Sequence, residues 1–251
     1  MPKHIIDMTG KTVLVTGGSR GMGREMALGF AEAGADVAVT SRKVEACEAV
    51  AGEIEALGRR AFAHGCHVGY WDQVDGLIEA VYGAFGKLDV LINNAGMSPL
   101  YDRPADVPEA LWDKVLDVNL KGPFRLCAEV GQRMVDAGGG AIINVSSTGA
   151  IRPTGDIIPY AAAKAGLNAM TEAFANAYGP AVRVNGIMPG PFLTDISKAW
   201  DLEAFAERAK TRIAMRRGGE PDEVVAAALY LASEHAGYTT GAVLRIDGGS
   251  T

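Results

Sequence analysis

A phenol and an ammonium stand four residues apart in the segment PYAAAKAG, at Tyr160 and Lys164. Residues i and i+4 of a helix lie on one face, so the two side chains would be neighbours. A free tyrosine has a pKa of about 10 and is a poor base at neutral pH, but a nearby ammonium favours the phenolate and lowers that pKa. Such a pair could exchange a proton with a substrate. The alternative is a solvated lysine beside a half-buried tyrosine.

Two further polar residues suit the same chemistry. Ser147 directly follows an apolar run and lies 13 residues before Tyr160, and its hydroxyl could donate to a substrate oxygen on which charge develops. Ser146 is its neighbour, but adjacent side chains of a strand point to opposite faces, and the spacing to Tyr160 favours Ser147. Asn119 lies within a helical pattern, where an amide is a weak choice unless it bonds something.

The strands that would position these side chains are visible as short, continuous apolar runs bounded by Gly, Asp or Asn. Runs of this kind are typical of strands buried on both faces. They cover residues 12–16, 36–40, 88–93, 141–146, 182–188 and 243–247, with a weaker strand at 60–68.

Helical patterns lie between these runs, with clear apolar stripes at 26–31 and 74–81 and a helix start at Pro221. The alternation predicts an α/β fold: a doubly wound parallel sheet of seven strands flanked by helices, in a single domain over residues 1–251. Ligands of such a fold bind beyond the carboxyl ends of the strands, which is where Ser147 and Tyr160 would lie.

Composition and charge narrow the class of partner. The 251 residues carry a formal net charge of −6, which argues against nucleic acid because a phosphate backbone requires basic patches. Cys47, Cys66 and Cys127 are an odd number without metal-ligand or CxxC spacing, so we expect reduced thiols, no metal and a cytoplasmic protein. No apolar signal region opens the chain and no run approaches about 18 apolar residues, so no membrane partner is expected.

A glycine-rich loop follows the first predicted strand, with Gly17, Gly21 and Gly23 at the mouth of a helix. Gly17 can take a tight turn, Gly21 lets the backbone approach a phosphate, and Gly23 lets the helix pack closely on the strand. The helix N-terminus offers free N–H groups to an anion. The spacing G-x-x-x-G-x-G differs from both G-x-G-x-x-G and G-x-x-x-x-G-K-[ST], and the missing lysine of the latter argues against an ATPase or GTPase.

Six segments occur in an order and spacing that resemble the short-chain dehydrogenase/reductase family. They are TGGSRGMG, NNAG (93–96), VNLKG (118–122), NVSS (144–147), YAAAK and PGPFLT (189–194), and the ending TTGAVLRIDGG is similar to that family's last strand and tail. The resemblance covers essentially the whole chain. It implies a Rossmann-type fold and an oxidoreductase that interconverts a carbonyl and a secondary alcohol by hydride transfer, like the 3-oxoacyl and carbonyl reductases of the family.

The resemblance also implies a catalytic tetrad of Asn119, Ser147, Tyr160 and Lys164. Tyr160 would act as acid in reduction and as base in oxidation, while Ser147 donates to the same substrate oxygen. Lys164 would hold the hydroxyls of the nicotinamide ribose, and Asn119 would support Lys164 through water.

The dinucleotide-binding residues implied by the resemblance lie at or after the ends of five of the predicted strands and in the catalytic pair. They are Gly17, Ser19, Arg20, Met22, Gly23, Ser41, Arg42, Val68, Asn94, Ala95, Gly96, Tyr160, Lys164, Pro189, Gly190, Phe192 and Thr194. The backbone at Phe192 would meet the nicotinamide amide, and Thr194 would contact phosphate or carboxamide.

The residues after the second strand predict which cofactor is used. An acid there would hold the ribose 2′-OH of NAD(H), whereas a 2′-phosphate needs cations. This chain has Ser41 and Arg42 there, no acid before Glu45, and Arg20 as a second cation. Because an arginine fork can donate two bonds to a phosphate, NADP(H) is expected, with NAD(H) possible. A solvated helix start is the alternative interpretation of Arg42.

His67 departs from the family pattern. Members commonly have an aspartate before the valine at the end of the third strand, which the resemblance implies would contact the adenine amino group, and here His67 precedes Val68. A neutral histidine can accept or donate a hydrogen bond, so adenine could still be held. A surface residue without a role is the alternative.

The sequence says least about the substrate pocket. By the resemblance, residues 191–217 form a mobile lid, although a surface helix without a gating role is the alternative. The expected pocket wall is mainly apolar: Met97, Ile151, Ile157, Ile158, Phe192 and Trp200. Sugars, polyols, 3-oxoacyl thioesters and hydrophobic ketones all remain possible. The long helices at 106–136 and 159–178 are apolar on more than one face and predict a homotetramer.

Four candidate functions arise from these motifs. The leading one is an NADP(H)-dependent carbonyl reductase or alcohol dehydrogenase, and an NAD-dependent dehydrogenase of a sugar or polyol is its alternative. An epimerase or dehydratase of nucleotide sugars usually needs a longer C-terminal substrate domain than 251 residues allow. A non-catalytic dinucleotide-binding sensor would be expected to lose Ser147, Tyr160 or Lys164, and all three are present.

Overall fold

Seven parallel strands form one sheet in the order β3-β2-β1-β4-β5-β6-β7 in the computed structural model, which describes residues 6–194, 197 and 201–251. The strands are β1 (Thr12–Thr16), β2 (Asp36–Ser41), β3 (Ala61–Gly65), β4 (Val90–Asn93), β5 (Gly140–Val145), β6 (Val182–Pro189) and β7 (Val243–Ile246). Every predicted strand is confirmed, with shifts of one to three residues at most ends. The predicted doubly wound parallel sheet is confirmed with them.

Helices cover both faces of the sheet. They are α1 (Gly21–Glu32), α2 (Val44–Ala56), α3 (Trp71–Phe85), α4 (Glu109–Leu116), α5 (Gly122–Asp136), α6 (Ile158–Tyr178), α7 (Leu202–Arg212) and α8 (Val225–Ala232). The helix start predicted at Pro221 is present as a 3₁₀ turn, Pro221–Val224, that leads into α8. None of the helices in the described ranges is long and apolar enough to cross a membrane.

Strand β1 shows how the continuous apolar runs build a core on each face. Val13 and Val15 pack with Phe30 of α1 on one face, whereas Leu14 packs with Leu77 of α3 on the other. These side chains are completely buried, and each contributes about 1.5–3 kcal/mol relative to exposure. A strand buried on both faces leaves no position for a polar alternation, which is why its sequence reads as an unbroken apolar run.

The helix predicted over 106–136 is wrong as a single helix. A 3₁₀ turn spans Pro104–Asp106, α4 ends at Leu116, and a π-helical turn at Asp117–Lys121 joins α4 to α5. Short π-helical insertions are uncommon and occur frequently at functional sites. This one contains Asn119, one of the four residues expected in the catalytic tetrad.

The sheet reverses its order between β1 and β4, because β2 and β3 lie on one side of β1 and the remaining strands on the other. A doubly wound sheet has a crevice at such a switch point, beyond the carboxyl ends of the strands. The loops that follow β1, β4, β5 and β6 all open there. They carry the glycine loop, the NNAG segment, Ser147 and the PGPFLT segment.

Candidate active site

Tyr160 and Lys164 lie in the first two turns of α6, as predicted. Pro159 occupies the first turn, where its fixed backbone angle suits a helix start. The Lys164 ammonium lies 5.8 Å from the centre of the Tyr160 ring and donates a hydrogen bond of 2.7 Å to the carbonyl of Val145. Lys164 is only 3% exposed. A buried ammonium therefore stands beside the phenol at the carboxyl end of β5.

Burial shifts the protonation of both groups. It lowers the pKa of Lys164 from 10.5 to about 8, because an ammonium loses hydration in the protein interior. Burial also raises the pKa of Tyr160 above 10, and a hydrogen bond with Ser147 acts in the opposite direction. The expected lowering of the Tyr160 pKa by Lys164 is wrong here, because burial raises this pKa and the opposing effect comes from Ser147. Tyr160 is thus a neutral phenol at neutral pH, ready to donate a proton.

Ser147 lies at the end of β5, beside Tyr160. The backbone N–H of Gly149 donates to Ser147 Oγ at 3.0 Å, and this bond caps the 3₁₀ turn Thr148–Ala150. Because Oγ accepts that bond, the hydroxyl proton remains available for donation. Ser146 points elsewhere: it is buried, and its Oγ donates to the carbonyl of Lys164 at 3.4 Å. The predicted choice of Ser147 over Ser146 agrees with this geometry.

Asn119 is fully buried in the π-helical turn. Its amide nitrogen donates to the carbonyls of Met97 at 2.8 Å and Val115 at 2.9 Å, and its oxygen accepts from the N–H of Met97 at 3.2 Å. A Cβ at Gly96 would lie 2.9 Å from the Asn119 oxygen and 3.7 Å from the Lys164 nitrogen. Asn119 therefore clamps the loop after β4 next to Lys164, while its predicted support of Lys164 through water stays a prediction.

The glycine loop after β1 has the shape of an anion cradle. Gly17 and Gly21 have φ angles of +64° and +52°, which favour glycine. A Cβ at Gly23 would lie 2.3 Å from the Gly17 carbonyl, so the helix could not approach the loop with any larger residue. Arg20 begins α1 without a side-chain cap, and the first-turn N–H groups are free for a pyrophosphate. Ser19 lies in the same loop and Met22 in the first turn of α1, and both are partly buried.

Asn94 holds this cradle in place. Its amide nitrogen donates to the carbonyls of Thr16 at 3.0 Å and Gly17 at 3.2 Å. The backbone N–H groups of Asn94 and Ala95 both donate to the Thr16 hydroxyl, at 3.0 and 3.1 Å. Thr16 was not expected in the site, although a buried threonine at a strand end beside a glycine loop is a signal for it. The cofactor contacts of Asn94, Ala95 and Gly96 stay predictions.

The loop after β6 returns to the glycine loop. Pro189 ends β6, and the N–H of Gly190 donates to the carbonyl of Ile246 at 2.9 Å. Thr194 lies over the start of α1, since a Cβ at Gly21 would be 3.5 Å from its side chain. The ring of Phe192 is buried against Gly219 in the core, so the expectation that it lines the substrate pocket is wrong.

The predicted lid and pocket wall are only partly described. Within 191–217 the structure has α7, which is capped by Asp201 and packs through Phe205 on Leu193, whereas Trp200 lies outside the described residues. Ile151 and Ile158 of the expected wall are about half exposed. Tyr101 lies beside Ile158, because its hydroxyl accepts a 2.7 Å hydrogen bond from the backbone N–H of Ile158. Sequence reasoning did not single out this tie between the loop after β4 and the start of α6.

A separate cavity of about 460 Å³ lies at the carboxyl ends of β2 and β3. It is lined by Arg42, Lys43, Val44, Glu45, Gly65, Cys66, His67 and Gln73. Arg42 and Arg20 are exposed, and neither has an ion-pair partner in the described part of the chain. Arg24, in contrast, pairs with Glu25 and Glu53.

Two other predicted cofactor residues lie close to this cavity. Ser41 donates to the carbonyl of Lys43 at 3.2 Å and contacts the thiol of Cys47 at 3.1 Å, so its hydroxyl helps to fix the start of α2. Val68 is buried in the core on the α3 side of the sheet. The three cysteines are free and buried.

Known proteins are similar to this chain in sequence and in fold. The family model described as enoyl-(acyl carrier protein) reductase matches residues 17–251. The chain is 38% identical to D-threitol dehydrogenase of Mycolicibacterium smegmatis over 97% of its own length and 94% of that protein. It is 40% identical to L-rhamnose 1-dehydrogenase (NAD(P)+) of Azotobacter vinelandii over 95% and 96%. The solved NADPH-dependent 3-quinuclidinone reductase of Rhodotorula rubra superposes with a TM-score of 0.92 at 33% identity, covering 99% of this chain and 95% of that one.

Proposed function

The chain belongs to the short-chain dehydrogenase/reductase family, and from that premise we propose an NADP(H)-dependent oxidoreductase with Tyr160 as its acid and base. It interconverts a carbonyl and a secondary alcohol. The observation that carries the proposal is the buried Tyr160–Lys164 pair with Ser147 beside it, at the carboxyl edge of the sheet. A sensor would not need a phenol, an ammonium and a hydroxyl in this arrangement.

The residues of the site fit a nicotinamide dinucleotide. The free N–H groups at the start of α1 suit its pyrophosphate, and the crevice at the switch point suits its length. When bound, the cofactor gives a hydride to a carbonyl carbon or takes one from an alcohol. We propose the cofactor contacts at the positions predicted from the sequence, from Gly17 to Thr194.

The chain's own residues manage the proton. In reduction the Tyr160 hydroxyl donates its proton to the oxygen that gains negative charge, and in oxidation the Tyr160 phenolate takes it back. Ser147 donates a hydrogen bond to the same oxygen, which stabilises charge that is greater in the transition state than in the substrate. Lys164 holds the ribose hydroxyls, and Asn119 keeps the loop at Gly96 close to Lys164.

The preference for NADP(H) rests on charge at the adenosine end. Arg42 lines the cavity after β2 and Arg20 borders the glycine loop, and both guanidinium groups are free to meet a 2′-phosphate. Glu45 lines the same cavity and supports the second candidate, an NAD-dependent sugar or polyol dehydrogenase. Comparing kcat/KM with NADPH and NADH decides between them. Arg42→Ala should reduce the NADPH preference about tenfold or more, whereas Arg24→Ala, which removes an ion-paired arginine, should not.

The substrate class is proposed from the relatives. Two of them are named for threitol and rhamnose, so sugars and polyols are the first substrates to assay. Hydrophobic ketones come second, because the exposed side chains of Ile151 and Ile158 border the site. A panel of alcohols and carbonyls, followed by the absorbance of NADPH, tests the reaction. Tight NADPH binding without turnover of any substrate would favour the sensor instead.

We also propose the domain organisation, the oligomeric state and the cellular compartment of the protein. The chain acts as a single domain in which residues 191–217 close over the substrate. It forms a homotetramer, because α4 and α5 leave the rings of Trp112 and Phe124 about 40% exposed, and Tyr238 near β7 is fully exposed. It works in the cytoplasm, which keeps free thiols such as those of its three cysteines reduced.

A further inference from the structure

The adenine end of the dinucleotide can be placed from the fold. The pyrophosphate belongs at the glycine loop after β1, and the nicotinamide belongs beside Tyr160, on the β5 and β6 side of the switch point. The other end of an extended dinucleotide must then run over β2 and β3. The cavity of about 460 Å³ at the ends of those strands has room for an adenosine, and His67 is part of its wall.

The orientation of the His67 ring fixes which hydrogen bonds it can make. The backbone N–H of Gly69 donates to Nδ1 of His67 at 3.2 Å, and the ring lies against that of Tyr70 with 4.6 Å between centres. A flipped ring would place a C–H group against the Gly69 N–H, so we assign Nδ1 to that position from this hydrogen bond. Because Nδ1 accepts, the proton of the neutral ring is on Nε2. Nε2 has no partner in the described part of the chain.

The surroundings of His67 keep the ring neutral. Its pKa is lowered, first by burial and then by the positive charges of Arg42 and Lys114, while a hydrogen bond with the residue's own backbone and the charge of Asp117 act in the opposite direction. A doubly protonated ring would also place an Nδ1–H against the Gly69 N–H. With Nδ1 accepting from Gly69, the neutral ring of His67, which lines the cavity, can donate from Nε2 and has no second nitrogen left to accept.

We propose that His67 reads the cofactor base by donation from Nε2–H, so that the binding site tolerates hypoxanthine in place of adenine. On the edge that carries N7, adenine offers N7 as an acceptor beside its amino group, and hypoxanthine offers N7 beside its carbonyl oxygen. A donor finds an acceptor on either base. A carboxylate at position 67 would instead need the amino group, which hypoxanthine lacks. This inference deepens the proposed function and rests on it.

The test compares dissociation constants for NADPH and its deamino analogue, in which hypoxanthine replaces adenine. Two variants form a matched pair, His67→Asn and His67→Asp. Both side chains have the same shape, and both can accept the Gly69 N–H through an oxygen, as asparagine and aspartate do in turns. They differ in what they present to the cavity, because asparagine still donates whereas aspartate only accepts.

We expect the wild-type protein and His67→Asn to bind the two cofactors within about threefold of each other, and His67→Asp to prefer NADPH by about tenfold or more. Thermal melting of each variant confirms that it is folded. A preference of about tenfold for NADPH over the deamino analogue in the wild-type protein overturns the inference. The same ratio of the two dissociation constants in the Asn and Asp variants also overturns it. A wild-type protein that binds neither cofactor contradicts the proposed function itself, whereas one that turns over with NADPH but rejects the analogue contradicts only the role of His67.

Discussion

Lys164 sets the electrostatics of the site at the scale of single residues. It is almost fully buried, and the only hydrogen bond of its ammonium within the described ranges is to the carbonyl of Val145. Folding therefore removes an ammonium from water without giving it a carboxylate, which is why its pKa falls to about 8. A group that is unfavourable for folding and yet positioned beside Tyr160 is typical of a functional site.

The buried lysine should make the cofactor-free protein less stable than a neutral variant. Since the unfolded lysine has a pKa of about 10.4 and the folded one about 8, the unfolded chain binds more protons and stability rises with pH between these values. Lys164→Met should thus increase the free energy of unfolding by about 1 kcal/mol or more at neutral pH, and the gain should shrink above pH 8. Urea denaturation across pH measures it. A variant less stable than wild type at neutral pH contradicts this origin of the shift.

The pKa of Tyr160 predicts opposite pH profiles for the two reaction directions. Its pKa is raised by burial, so the acid needed for carbonyl reduction is present at neutral pH and is lost on the alkaline side. The base needed for alcohol oxidation appears over that same alkaline range. We expect kcat/KM to fall with rising pH for reduction and to increase for oxidation. An oxidation rate that declines from about pH 7 to about pH 9 is incompatible with this role for Tyr160.

Elements differ in how far their sequence determines them. The strands were predictable because a parallel strand buried on both faces must be apolar throughout, as in Thr12–Thr16. The π-helical turn at Asp117–Lys121 was not, since it depends on the bonds between Asn119 and Met97, which lie in different elements. For the same reason the prediction that the Phe192 ring lines the substrate pocket was wrong, because the burial of this ring depends on Gly219, which is distant in sequence.

The π-helical turn should depend on the Asn119 side chain. Asn119→Ala leaves the backbone N–H and carbonyl of Met97 and the carbonyl of Val115 without their buried partner. We expect the free energy of unfolding to fall by about 2–3 kcal/mol, as for buried polar groups left unpaired, and turnover to fall as the loop at Gly96 moves away from Lys164. Denaturation and steady-state kinetics measure both effects. A free energy of unfolding of Asn119→Ala within about 0.5 kcal/mol of wild type would show that the Asn119 side chain does not hold the loop in place.

At the scale of the whole molecule, the sheet brings distant segments into one site. The Thr16 hydroxyl accepts a hydrogen bond from the backbone of Asn94 in the loop after β4. The Lys164 ammonium of α6 donates to the carbonyl of Val145 at the end of β5. The chain end takes part as well: Arg152, which follows the Ser147 turn, donates to the carbonyl of Ser250. The motif order in the sequence predicted this gathering, because the carboxyl ends of parallel strands share one edge. The protonation states were less predictable, since they depend on how deeply the assembled structure buries each group.

The proposed tetramer should depend on the helices that flank this sheet. A cavity of about 630 Å³ on the surface of these helices is lined by the apolar side chains of Leu116, Leu120, Phe124 and Met170 together with the charged side chains of Asp113, Asp117 and Lys121. Phe124→Glu would place a charge in an apolar subunit contact, so we expect the molar mass measured by light scattering to drop from that of a tetramer. Phe124→Leu is the control and should keep the mass. A wild-type protein that is monomeric at micromolar concentration contradicts the proposal.

The most direct test of the central claim is the turnover of Tyr160→Phe with NADPH and an accepted substrate. The variant keeps the ring beside Lys164 and removes only the hydroxyl, so we expect kcat/KM to fall by about a hundredfold or more, with the dissociation constant for NADPH changed by less than about threefold. Tyr178→Phe, the same change at the other end of α6, should leave turnover close to wild type. Near-normal turnover of Tyr160→Phe would contradict the assignment of Tyr160 as the proton donor and acceptor.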